Sequence, residues 1–199
     1  MIDHDKLKRV AERAAKVAEY LLGIQLPYSV SLINDSSHIQ DGLFGTERNE
    51  IKINLTALEP YPPESLPIQS VNPTDEEIQQ NEFARYALKT VYIVFHEMRH
   101  LYQIQAVSAY ALNLFMGGGI KLPESAKKCS QWQKELETYN LNESAGTDIE
   151  EDAEAFATYL IQRYPVNIKM RMTNRRIGGM KRKYDKINLI EEPHCIDSD

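Results

Sequence analysis

A chain of 199 residues with 42% hydrophobic and 26% charged side chains is sized and balanced for one soluble globular domain. Its net charge of −6 excludes a surface that coats nucleic acid over its whole extent, and no apolar run is long enough to span a bilayer. The opening residues, Met1-Ile2-Asp3-His4-Asp5, lack the basic-then-apolar pattern of a secretory signal, and Cys129 and Cys195 have neither metal-ligand spacing nor a disulfide framework, so a reducing cytoplasm is the expected setting.

Over residues 5–22 apolar side chains recur at helical spacing (Leu7, Val10, Ala14, Val17, Leu21, Leu22) up to Gly23, which predicts an amphipathic helix. Residues 30–33 read as a short strand. Residues 50–55, Glu-Ile-Lys-Ile-Asn-Leu, alternate with period two as a half-buried strand does. Between them lies turn-rich sequence with Asp41-Gly42 and Gly45, so the expected product is a two- or three-stranded antiparallel sheet. Pro60, Pro62, Pro63, Pro67 and Pro73 then mark an irregular loop.

Thr74-Asp75-Glu76-Glu77 behind Pro73 is a capping box, and helix formers continue from it to about Gln105. The run Val91-Tyr92-Ile93-Val94-Phe95 has the composition of a buried strand, but helical sequence on both sides favours helix. At about 100° per residue, Ala87, Val91, Val94, Phe95, Met98 and Tyr102 share one face. His96 and His100 lie opposite, beside Tyr92, Ile93 and Ile104, and a helix apolar on two sides is expected to be sandwiched. A further helical stretch to Phe115, a Gly117-Gly118-Gly119 loop, a helix over 123–139 and a loop over 141–146 follow. The last strong helix, 149–163, is expected to be capped by Thr147 or Asp148 and stopped by Pro165. Residues 169–183 are basic (Arg171, Arg175, Arg176, Lys181, Arg182) and read as a solvated tail or as a contact for nucleic acid or an acidic partner.

The chemistry lies in His96-Glu97-Met98-Arg99-His100, an HExxH element. Residues four apart share a helix face, so both imidazoles can reach one metal ion, and Glu97 is placed to meet a water bound to it. A catalytic zinc site takes three protein ligands and leaves one position for water. The helix over 149–163 offers Glu150, Glu151, Asp152 and Glu154. Glu150 falls nearest that helix's apolar stripe (Ile149, Ala153, Phe156, Ala157, Leu160, Ile161), about 60° from its centre, whereas Asp152 and Glu154 fall near about 100° and Glu151 points away. Glu150 is therefore the expected third ligand, with Glu143 as its rival. Asp152 or Glu154 would accept from a ligand histidine's other ring nitrogen. His4, His38 and His194 have no partner at ligand spacing.

At these two motifs the chain resembles the ImmA/IrrE-type zinc metallopeptidases, small HExxH proteins of phages and mobile elements, whose signature is an HExxH helix followed by an E-x-E-A-N-x-F-A helix. The counterpart here is Glu150-Glu151-Asp152-Ala153-Glu154-Ala155-Phe156-Ala157, with Glu154 in place of Asn, and Arg99 stands where that family often has Gly. The resemblance covers about 28–162 and takes in Gly42, Gly45 and Ile51-Lys52-Ile53-Asn54 upstream. It implies an α+β fold, mostly helical and zincin-like with a small antiparallel sheet. Together with the chain length and the charge pattern, it points to a single catalytic domain over 1–166 with its core at about 28–162, followed by a basic C-terminal extension, 167–199. His96, His100 and Glu150 would hold one Zn2+ and Glu97 would be the catalytic carboxylate. Relatives of this kind cut a repressor or another regulator, so the implied partner is a protein or peptide substrate.

The expected activity is peptide-bond hydrolysis, with Arg99, Tyr102, Tyr139 or Tyr159 as conceivable oxyanion donors. The strand over 50–55, with Ile51 and Ile53, would hold an extended substrate by main-chain hydrogen bonds if it lies at the sheet edge. The alternative is a regulatory or nucleic-acid-binding protein that uses residues 169–183 and whose zinc is structural or lost.

Overall fold

The computed structural model describes residues 2–38, 40–45, 48–60, 75–138 and 147–161, with backbone alone for 75–81. The capping box at Thr74, the rival ligand Glu143, Tyr139, His194, Cys195 and the basic segment 169–183 lie outside the described residues.

The first helix, α1 (His4–Leu22), starts where the Asp3 side chain accepts from the Lys6 N–H at 2.9 Å, and it ends on Gly23. Gly23 has φ 65°, a left-handed conformation that favours a residue without a Cβ, and its N–H bonds back to the Glu19 carbonyl. Leu7, Ala11, Ala14, Ala15, Ala18 and Leu21 form the buried stripe, in which four alanines permit close helix approach.

Three strands follow: β1 (Ser29–Ile33), β2 (Gly42–Gly45) and β3 (Glu50–Asn54). Their order is β1-β3-β2, with β2 antiparallel to β3 and β1 parallel to it. The expected antiparallel sheet is thus a mixed one. Alternation in 50–55 fixes which face of β3 is buried but says nothing of the direction of its neighbours. What decides direction is the connection from β1 to β2, which places β2 at the far edge of β3, antiparallel to it. Asn54, fully buried, holds that connection. Its Nδ2 donates to the carbonyls of Asp35, His38 and Gln40 (2.8, 3.1 and 3.3 Å), and its Oδ1 accepts from the Asp35 and Thr56 N–H groups.

The central element is α2 (Asp75–Phe115), one unbroken helix of 41 residues. The stretches read as separate on either side of Gln105 are continuous, since no Gly or Pro falls between Asp75 and Met116 to interrupt them. α1, the sheet, and two further helices, α3 (Ala126–Glu137) and α4 (Asp148–Ile161), pack on it, which makes it sandwiched as its two apolar faces require. Gln105 ties it to the α1–β1 connection, accepting from the Gln25 N–H at 2.6 Å and donating to the Gly23 carbonyl.

Ser125 caps α3, which buries Cys129 and Trp132. Thr147 caps α4, and the Ile149 N–H is taken by Glu135 Oε2 of α3 at 2.9 Å. The buried stripe of α4 is Ile149, Ala153, Phe156, Ala157 and Leu160. The fold is α+β and mostly helical, and among the described residues no helix is long and apolar enough to cross a membrane.

Candidate metal centre

The helical spacing of His96 and His100 brings their Nε2 atoms to 3.0 Å. The two rings cross at 81°, so the nitrogens converge instead of stacking. Glu150, one residue into α4 from the buried Ile149, reaches across the helix–helix seam. Its Oε2 lies 3.2 Å from His96 Nε2 and its Oε1 3.4 Å from His100 Nε2. Zinc with tetrahedral bonds of about 2.0–2.2 Å places its ligand atoms about 3.3–3.6 Å apart, and these three donors, at 3.0, 3.2 and 3.4 Å, lie within a few tenths of an ångström of that spacing. They are the sole group of three or more His, Cys, Asp or Glu ligand atoms so gathered among the described residues. The side chains of His96 and Glu150 are each 21% exposed and that of His100 11%, which leaves the cluster open on the His96–Glu150 side. Tyr92 stacks against His96 at that opening.

Glu97 sits buried on the β2 side of the histidines. Burial pushes its carboxyl above the ordinary range, with Glu150 and Asp41 adding to the effect and the charges of His100 and His96 opposing it. Burial works against a charge on His100, yet hydrogen bonding to Glu150 and the negative charge of Glu97 outweigh it and leave that imidazole more basic than usual. A divalent cation bound there would use the same lone pairs and release the proton.

The β2 strand can approach Glu97 because its first residue is Gly42. A Cβ there would overlap Ile93 Cγ2 and lie 2.8 Å from Glu97 Oε1. The ion pair between Lys89 and Asp41, 2.6 Å, holds the entry to this strand against α2.

Behind the histidines the structure differs from the expected arrangement. The His100 Nδ1 partner is Gln103 Oε1, at 2.9 Å, and no carboxylate occupies that place. Asp152 stands one bond further back, accepting from Gln103 Nε2 at 2.9 Å. Its remaining contacts are a two-pronged pair with Arg99 (Nε 2.6 Å, Nη2 3.0 Å) and a bond from Lys128 at 2.9 Å. Burial alone would raise the Asp152 carboxyl, but Arg99 and Lys128 prevail and hold it at about 2. Glu154 is exposed and plays no such part. Gln103 was missed because its role depends on where α4 comes to rest, although its position three residues after His100, on the same helix face, was a usable signal.

Among the described residues, two of the conceivable oxyanion donors, Arg99 and Tyr102, are engaged elsewhere, and a third, Tyr159, is distant. Arg99, 3% exposed, is committed to Asp152 and Glu124 and lies over the rings of Tyr102, Phe156 and Trp132. The Tyr102 hydroxyl donates towards the Pro123 carbonyl and Glu124. Tyr159 is nine residues from Glu150, roughly 13 Å along the helix. Ile51 and Ile53 are also not where a substrate-binding pair would be. Both are fully buried, and β3 is the central strand with both edges paired. The sheet edge on the α2 side of the site belongs to β2. His38 bonds to Asp35, and His4 is exposed at the start of α1.

Comparison of the chain with protein-family models, curated proteins and solved structures gives no match.

Proposed function

We propose that the chain is a zinc-dependent metallopeptidase that hydrolyses a peptide bond in a protein substrate. A regulator such as a repressor is the substrate class implied by its ImmA/IrrE-type, zincin-like motifs. The observation that carries the reading is the convergence of His96 Nε2, His100 Nε2 and the Glu150 carboxylate, at 3.0–3.4 Å from one another, with the buried Glu97 beside them. Three protein donors and an open side suit a catalytic zinc site, because a structural one is closed by a fourth side chain. Among the described residues no fourth ligand joins the group.

Zinc held there would polarise the scissile carbonyl and make water a nucleophile near neutral pH. Glu97 would take the proton as that water attacks and hand it to the leaving amine. Its buried place beside the two histidines suits it to both transfers. The edge of β2 that no described strand pairs, next to Glu97 through Gly42, is the place for an extended substrate segment to align by main-chain hydrogen bonds.

Glu97→Gln keeps the three ligands and removes the proton carrier. The expected result is zinc content equal to wild type with cleavage of a quenched fluorescent peptide library lowered at least about 100-fold. Undiminished cleavage by this variant would refute the mechanism. A regulatory protein with a structural zinc would instead bind the metal and cut nothing, with or without Glu97.

A further inference from the structure

Gln103 is fully buried and joins the two helices that carry the ligand residues. Its Oε1 faces His100 Nδ1 at 2.9 Å, while its Nε2 donates to the Ile149 carbonyl and to Asp152 Oδ2, both at 2.9 Å. The two acceptors settle which way the amide points. Reversing it would set the amide oxygen against a carbonyl and a carboxylate, neither of which can donate. Asp152 stays a carboxylate because Arg99 and Lys128 both bond to it. With Oε1 fixed towards His100, a hydrogen bond at that distance requires the proton on Nδ1. The lone pair of the neutral ring then lies on Nε2, the atom that faces His96 and Glu150.

We propose that Gln103 is a positioning residue. It holds His100 in the tautomer that presents Nε2 as a ligand, and through the Ile149 carbonyl it ties that ring to the first turn of α4, one residue before Glu150. The chain of bonds runs from Arg99 and Lys128 through Asp152 and Gln103 to His100, so the orientation of one ligand is coupled to a pair of cations on two different helices. Its consequence for metal binding rests on the zinc reading above, whereas its consequence for the ring does not.

The test is the protonation pattern of the His100 ring nitrogens, read by long-range nitrogen–proton NMR on the full-length, zinc-stripped chain in mildly alkaline buffer. It is paired with zinc affinity measured by competition with a chelator. Wild type is expected to show the proton on Nδ1. Gln103→Met, similar in size but unable to accept from the ring, is expected to shift the proton towards Nε2 and weaken zinc binding about 10- to 100-fold, with its far-ultraviolet circular dichroism unchanged. A neutral wild-type His100 with its proton on Nε2 would overturn the proposal without recourse to any variant. So would a folded Gln103→Met with unaltered tautomer and affinity. Wild type that binds no zinc would refute the metal reading and the affinity half of this one, and the nitrogen signals would still decide whether Gln103 governs the ring.

Discussion

Asp152→Asn is the perturbation whose size the structure determines best. The carboxylate meets Arg99 through two bonds, at 2.6 and 3.0 Å, and Lys128 at 2.9 Å, with only 17% of its side chain exposed. Its pKa falls from an ordinary 3.8 to about 2, a depression that corresponds to about 2 kcal/mol of stability at neutral pH. Because the folded pKa is the lower one, that contribution is complete above the ordinary carboxyl pKa and is lost as pH falls through 3.8 towards 2. Replacement by Asn also leaves Arg99 buried without its main counter-ion, and breaking a buried pair from one side costs about 3–5 kcal/mol. Urea unfolding of wild type and Asp152→Asn across a pH series is the assay. The expected gap is about 3 kcal/mol or more at neutral pH, narrowing as the solution is acidified into the range where the wild-type carboxylate protonates. A gap below about 1 kcal/mol, or one that does not change with pH, would refute the reasoning.

Two further substitutions probe the surroundings of the site. Gly42→Ala drives a methyl into Ile93 and against Glu97, so unfolding experiments should show a loss of about 1–3 kcal/mol. Peptide cleavage should fall further than that loss of folded protein explains. Asn54→Ala leaves the carbonyls of Asp35, His38 and Gln40 and two N–H groups without their shared partner. A destabilisation of about 2–3 kcal/mol is expected by the same method, with faster amide exchange in 34–41.

The stripes of α1 and α4 could be read from periodicity because each of these helices buries a single face, and helical spacing alone selects that face. Glu150 was legible for the same reason. A carboxylate at the edge of a buried stripe can reach the neighbouring helix while keeping part of itself in water, and its 21% side-chain exposure matches that position. The parallel pairing of β1 with β3 was not legible, because strand alternation carries no information about the route of the chain between strands. Here one asparagine at the end of β3 fixes that route. Arg99 shows the limit of reading by residue type. A charged side chain in an HExxH element is expected at the surface, yet Asp152, Glu124 and three aromatic rings supply enough compensation to bury it. That burial displaced Asp152 from its expected place beside a histidine and left the place to Gln103. The same pairing keeps Arg99 from acting as an oxyanion donor, and Pro123 and Glu124 take the Tyr102 hydroxyl.

The central claim is that His96, His100 and Glu150 bind one zinc ion with a position left open. Zinc content by elemental analysis of the purified full-length protein, combined with zinc-edge X-ray absorption on the same sample, tests it most directly. The expected result is one zinc per chain, with two histidine nitrogens, a carboxylate oxygen and one solvent oxygen in its first coordination sphere, and loss of the metal in Glu150→Ala. A protein that binds no zinc in zinc-replete buffer, or one whose zinc is unaffected by Glu150→Ala, would contradict it.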